Sequence, residues 1–399
     1  MFSSYVRVLG RPGALAFSAT GLIARLPISM VGLGIVLLIT GATGSYGLAG
    51  SVSAVYLIAN AALSIAHGRL VDTFGQRRVL PGVITGFAVA LTALLVAVET
   101  DQPIWLAYLC AALTGALLPQ VGSCVRARWS HLLHDPQEMH TAYSIEGVVD
   151  EAVFILGPIL VTVLATAWHP VAGLVTAILT GFGGTVALAA QRRTEPPVHP
   201  RRPVDGSPAT IPWVTLAPLT ASGIALGGLF GGVEVATVAF SEAAGVPGMA
   251  GALLGLWAFG SLTSGLVNGA IHWRSSPGTR VRLGTVVLTL ALVPPPFVES
   301  VPAMAVALFV AGIAVSPTLI AMVSLAERIL PPARLTEGFA LLHTGIAGGV
   351  APGAAIGGVL IDARGASAAY VVSVTGAALA ATAAAVMPRR HPPLPSGKP

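Results

Sequence analysis

Five ionisable residues of this 399-residue chain fall inside long apolar runs: Arg25, Glu146, Asp150, Glu151 and Glu234. A charge at the centre of a bilayer costs at least about 2.5 to 3.5 kcal/mol, so each needs a partner or a wet cavity. They are therefore the first candidates for ion or proton chemistry. Arg25, in IARLPISM, sits roughly 16 Å along its run, too deep for its head to reach the interface easily. Pro27 follows it, frees a backbone carbonyl and kinks the helix. The segment YSIEGVVDEAVF carries three acids. Glu146 and Asp150 lie about 40° apart on one helix face with Gly157, whereas Glu151 points about a further 100° away. Asp150 lies roughly 10 Å from one end of its run, and three acids against one Arg leave at least one acid without that partner. Desolvation favours the neutral form of a carboxyl, so proton binding is the chemistry expected here. The competing reading is a static Arg25 to Asp150 ion pair that only fixes helix packing. Glu234, in GGLFGGVEVATVAF, either lines a cavity from the second half of the chain or reaches water at the interface. His343 titrates in a suitable range, but a lone His near a helix start reads first as packing.

The elements that position these residues follow from composition. Only 9% of the residues are charged and 54% are hydrophobic, which excludes an ordinary soluble enzyme and a disordered chain. Twelve membrane spans are expected, at about 14–39, 46–66, 79–98, 104–125, 143–167, 170–190, 213–240, 249–271, 283–298, 302–325, 337–361 and 368–387. Of the 21 basic residues, 19 fall in segments on one side, including Arg7, Arg11, Arg126 and Arg128, and Arg364 alone falls on the other. That asymmetry makes both termini cytoplasmic. It also accounts for the net charge of +5, because the basic residues are spread over seven short segments and form no nucleic-acid surface. Cys110 and Cys124 read as packing residues, and no paired CxxC, HExxH, GxSxG or P-loop is present. No catalytic residue, metal site or cofactor is expected.

The fold class is all-α: two pseudo-symmetric six-helix bundles, at 1–190 and 213–399 with a short cytoplasmic tail, joined by a cytoplasmic linker at 191–212 that is rich in Arg and Pro. Landmarks recur about 195 residues apart. Gly157-Pro158 in VFILGPILV matches Pro352-Gly353 in GGVAPGAAIGG, two points where a helix can flex or pack closely. GRLVDTFGQRRVL after the second span has a counterpart in NGAIHWRSSPGTRVRL after the eighth, which has lost the acid. Parallel six-plus-six repeats are the pattern of secondary transporters, whose halves rock about a site near the midplane.

The first of these loops resembles that of the major facilitator superfamily, which reads G-x-L-A-D-R-x-G-R-R-x-x-L between spans two and three. Gly68, Leu70, Asp72, Gly75, Arg77, Arg78 and Leu80 stand in that register, and Thr73 and Gln76 depart from it. The resemblance implies a loop that latches the two halves in the outward-open state. The positive-inside rule alone explains Arg77 and Arg78, but topology needs no acid at Asp72, which can accept hydrogen bonds from a helix N-terminus. Two antiporter signatures of the family are incomplete. Leu117 stands where R-x-x-Q-G has its Arg, with Gln120 retained, and Val161 and Thr162 replace the glycine pair of G-P-x-x-G-G. Arg25 is the candidate to take over the missing basic role.

The resulting expectation is a multi-pass transporter of the cytoplasmic membrane, a monomer whose partners are the bilayer and a small-molecule substrate. It works by alternating access, with the proton gradient driving efflux of small hydrophobic or amphipathic compounds by antiport. Uptake of a small metabolite and a non-transporting sensor or scaffold with the same fold are the alternatives. Asp72→Asn is expected to insert normally and to transport poorly; wild-type flux from well-expressed Asp72→Asn protein would remove the latch role.

Overall fold

The computed structural model describes residues 2–43, 46–198, 211–246, 249–271 and 273–388. Positions 199–210 of the expected linker and the tail from 389 lie outside the described residues, among them Arg201, Arg202, Arg389, Arg390 and Lys398. The first half comprises α1 (Phe2–Leu9), α2 (Ala14–Thr43), α3 (Tyr46–Phe74), α4 (Gln76–Glu99), α5 (Ile104–Ala116), α6 (Val121–Leu132), α7 (Pro136–Ala167) and α8 (Ala172–Ala190). The second comprises α9 (Trp213–Ala243), α10 (Ala250–Ala270), α11 (Pro277–Leu292), α12 (Val301–Ile313), α13 (Val315–Ile329), α14 (Leu335–Arg364) and α15 (Ala366–Val386). No strand occurs among the described residues.

Among the described residues, eleven helical segments are long and apolar enough to cross a bilayer, against the twelve expected. The remaining segment is α11, which has 16 residues and ends before the Pro294-Pro295-Pro296 run. Successive prolines remove backbone donors and clash with the preceding turn, so α11 stops at about 24 Å, short of the roughly 30 Å hydrocarbon core. Two crossings are broken at matching places. The fourth passes from α5 to α6 through Leu117–Gln120, where Pro119 cannot donate to the ladder, and the tenth passes from α12 to α13 at Ala314.

The fifth crossing starts earlier than its apolar run suggests. The Asp135 side chain accepts the Gln137 N–H at 3.0 Å and Pro136 occupies the first turn, so α7 begins at 136 rather than 143. Asp150 therefore lies about 21 Å along α7, much deeper than the roughly 10 Å that the apolar limits imply.

Helix contacts within each half depend on small residues, since lipid supplies no hydrophobic drive for helices to associate. The tightest is α9 against α14. A Cβ at Gly227 would lie 1.9 Å from the Ile346 carbonyl oxygen, and one at Gly231 would lie 2.0 Å from that of Val350. In return, a Cβ at Gly349 would lie 1.9 Å from the Ile224 oxygen and one at Gly353 would lie 2.1 Å from that of Gly228. Gly157 packs α7 on α2 in the same way, against Ser29, whose hydroxyl donates to the Val153 carbonyl at 2.8 Å. Pro27 of α2 abuts Gly181 of α8. Gly231→Val is expected to cost at least about 1 to 3 kcal/mol through backbone collision, seen as a lower Tm and loss of monodisperse protein. Gly348→Ala, where nothing lies within 4 Å, serves as the neutral control; equal Tm values for the two variants would contradict the packing account.

Candidate functional site

Arg25 projects from α2 into a buried ion quartet. Its Nε donates to the Gly21 carbonyl one turn back at 3.1 Å, which fixes the guanidinium in the helix groove. Its Nη1 donates to Asp150 Oδ1 at 2.7 Å and its Nη2 to Glu146 Oε2. Asp150 Oδ2 accepts from Arg126 Nη2 of α6 at 2.5 Å. The other oxygen of Glu146 accepts from Ser18 Oγ at 3.1 Å and Trp129 Nε1 at 2.8 Å. Side-chain exposure is 5% for Arg25, 0% for Glu146 and 4% for Arg126, but 27% for Asp150. Water therefore reaches the quartet at one corner only. Two guanidiniums and two carboxylates cancel, which is how four charges can reside at this depth.

Arg126 corrects the sequence reading, which counts it with the basic loop segments. Helix α6 continues to Leu132, so Arg126 and Arg128 lie within a crossing and are buried. The excess of three acids over Arg25 was the available signal that a second cation had to be present. Arg128 has a different task. It donates to Gln76 Oε1 at 2.7 Å, Thr194 Oγ1 at 2.8 Å and the carbonyls of Gln191 and Leu188 at 2.9 and 3.0 Å. It thus ties the end of α8 and the first linker residues to α4. Glu195 completes this tie by accepting the Arg77 N–H at 2.8 Å, so the start of the linker is docked.

Glu151 faces away from the quartet, as its helical angle requires, and no arginine reaches it among the described residues. Ser261 Oγ of α10 donates to Glu151 Oε1 at 2.6 Å, and Ser261 lies 2.9 Å from the Ser316 hydroxyl of α13. This acid therefore touches the opposite half. His343 of α14 comes within electrostatic reach of Arg25, Arg126 and Asp150, and its Nε2 is buried with no partner among the described residues. Glu234 stands exposed on α9 and makes no ion pair with a described residue, so it is not brought to the quartet.

The loop after the second span joins the halves. Asp72 Oδ1 accepts the Thr336 N–H at 3.2 Å and Oδ2 the Glu337 N–H at 2.9 Å, placing a carboxylate on the free amides at the start of α14. Arg69 Nε donates to Glu337 Oε1 at 2.7 Å and Arg334 Nη1 lies 3.2 Å from Glu337 Oε2. Gly68 has no room for a side chain, since a Cβ would lie 2.8 Å from Glu337 Cα. Gly75 turns from α3 to α4 with φ +88°, the left-handed region that favours glycine. Arg77 and Arg78 are exposed and make no ion pair with described residues. Inter-half hydrogen bonds between described residues run from the arginine-rich tips as far as Ser64–Thr344 and Glu151–Ser261, with none beyond. The halves are therefore joined at the arginine-rich end.

The profile of the Major Facilitator Superfamily matches residues 17–298 and 280–399. No curated protein matches the sequence. Similar solved structures include a bacterial homologue of the iron transporter ferroportin in its outward-facing state, with a TM-score of 0.74 and 16% identity, over 93% of this chain and 98% of that one. The human organic anion transporter MFSD10 (TETRAN) gives a TM-score of 0.72 at 14% identity, over 94% of this chain and 98% of its own. FucP in the outward conformation gives 0.66 at 14% identity, over 95% and 99%. Identities this low speak for the fold alone, whereas the profile covers most of the sequence. This chain belongs to the Major Facilitator Superfamily and is a membrane transporter, not an enzyme.

Proposed function

We propose that this transporter couples proton movement to the export of small hydrophobic or amphipathic compounds, with Glu151 as the acid that carries the proton. The observation that carries the reading is the charge balance of the fifth crossing. Arg25 and Arg126 neutralise Glu146 and Asp150, which leaves Glu151 with a hydroxyl from the other half as its partner. A carboxyl whose contact spans two bodies that move against each other changes environment during alternating access, and this is what coupling requires. The exposed Phe154 and Ile155, about one turn along α7 from Glu151, suit an apolar substrate.

The positive-inside rule sets the arginine-rich end in the cytoplasm, with both termini there, in a cytoplasmic membrane. The Asp72 latch then closes the cytoplasmic side, which corresponds to an outward-facing conformer. Leu117 leaves the fourth crossing without the basic residue of the antiporter signature, and Arg126 supplies one from the same crossing. The quartet is the static counterpart of Glu151: it holds α2, α6 and α7 in one arrangement.

Two experiments separate these roles. In proteoliposomes with an imposed pH gradient, Glu151→Gln is expected to lose gradient-driven accumulation while keeping downhill exchange of the same compound; accumulation at the wild-type level would defeat the coupling role. Glu146→Gln leaves Arg25 and Arg126 to share Asp150 as their one carboxylate, an uncompensated buried positive charge, and is expected to lower stability by about 3 to 5 kcal/mol, measured by thermal unfolding in detergent. Adding Arg25→Gln should recover part of that loss, and a double variant less stable than Glu146→Gln would contradict the pairing.

A further inference from the structure

The acid-less second copy of the loop, NGAIHWRSSPGTRVRL, also sits between the halves. Asp72 offers an acceptor to the free amides that begin α14, but here the polarity is reversed. Three side chains from the start of α7 donate to carbonyls at the end of α10: Gln137 Nε2 to Ile271 at 2.9 Å, Thr141 Oγ1 to Gly269 at 2.7 Å and His140 Nε2 to Asn268 at 2.9 Å. The loop has no need of its lost acid, because the last turn of a helix presents acceptors.

His140 is the member that can change. With Nε2 donating to Asn268, its Nδ1 is left to accept, and Arg280 Nη1 of α11 lies 3.1 Å from it. Arg280 Nη1 also lies 3.5 Å from Nε2, so the guanidinium sits over the ring face, a place only the neutral imidazole tolerates. Among the described residues no carboxylate reaches the ring, and Glu327 of α13 is held by the Ser130 hydroxyl at 3.2 Å. From α10 the ring meets the Asn268 carbonyl and from α11 Arg280, which lies over the Trp273 ring at 5.6 Å. From α1, Tyr5 donates to the Leu266 carbonyl, and on its own helix Glu138 is taken by Arg11 at 2.8 Å. A proton on Nδ1 would set an imidazolium against a guanidinium 3.1 Å away. The Asn268 side-chain amide is buried with neither atom partnered among the described residues, so the seam closes with a polar group still unpaired.

We infer that α7 and α10 form a second gate, in which His140 is a positioning residue that holds the arginine-rich end shut while neutral and releases it when protonated. This gate rests on the movement of the halves and not on the coupling role of Glu151. Acid on that side weakens the grip of α7 on α10 and leaves the Asp72 contact to be broken separately.

The test reads distance and needs no substrate. Spin labels on His134→Cys and Arg274→Cys, both exposed at the tips of the seam, are introduced with Cys110 and Cys124 changed to Ala, and the protein is placed in lipid nanodiscs. As pH falls from about 8 to about 5, a longer-distance population is expected to grow at least about threefold. His140→Gln can donate from its amide nitrogen and accept at its amide oxygen, so it should keep the short distance and lose the acid response. Arg280→Gln should blunt the response from the other side, and Thr141→Val should raise the open population at every pH while keeping it. A wild-type distribution flat with pH, or a His140→Gln variant that opens with acid as the wild type does, would overturn the inference.

Discussion

Every charge held inside a bilayer has to be answered within the fold, and in this protein the answer is the quartet of Arg25, Glu146, Asp150 and Arg126. The four side chains come from α2, α6 and α7, so their pairing fixes how three helices of the first half stand against one another. Much else follows from meeting that condition. Helix α6 has to persist beyond the break at Pro119 to present Arg126, and α7 has to start early enough to bring Glu146 and Asp150 level with Arg25. Gly157 allows α7 to lie directly on α2 beside Ser29. Once the quartet is neutral, Glu151 is distinguished by what it lacks.

The two halves are joined by contacts of a different kind. Within a half, glycines bring backbones together, as between α9 and α14, and the contact has no polar alternative to exchange for. Between halves, hydrogen bonds gather on helix ends: Asp72 on the first amides of α14, and Gln137, His140 and Thr141 on the last carbonyls of α10. Groups at helix ends are satisfied by water when the contact opens, so such joints separate at modest cost. A transporter that alternates needs bodies that hold together and a seam that does not. The distribution of glycine and of helix-end hydrogen bonds supplies both.

Sequence alone carries a good part of this. Charges inside apolar runs stand out, which is why Arg25, Glu146, Asp150 and Glu151 can be singled out, and helical geometry alone turns Glu151 away from the other two acids. Asp72 is legible because topology has no use for an acid there. Arg126 is hidden because it sits near the end of an apolar run, where the positive-inside rule already explains an arginine. The start of α7 is hidden because its first turns are polar, although Asp135-Pro136 marks a helix start on its own terms. The α7–α10 contact has no signature of its own, since its acceptors are backbone carbonyls that every sequence possesses. Glu234 resembles the other buried acids in its run of glycines and valines, but it lies on an exposed face of α9.

Of the four acids on α7, Glu138, Glu146 and Asp150 are neutralised by arginines, and in the proposed cycle Glu151 alone exchanges a proton. Infrared difference spectroscopy of the protein in bilayers, recorded across a pH titration, reads protonated and ionised carboxyls directly. One titrating carboxyl band from this crossing is expected, lost in Glu151→Gln and kept in a folded Asp150→Asn protein. A band that survives Glu151→Gln and is lost in Asp150→Asn would contradict the role of Glu151.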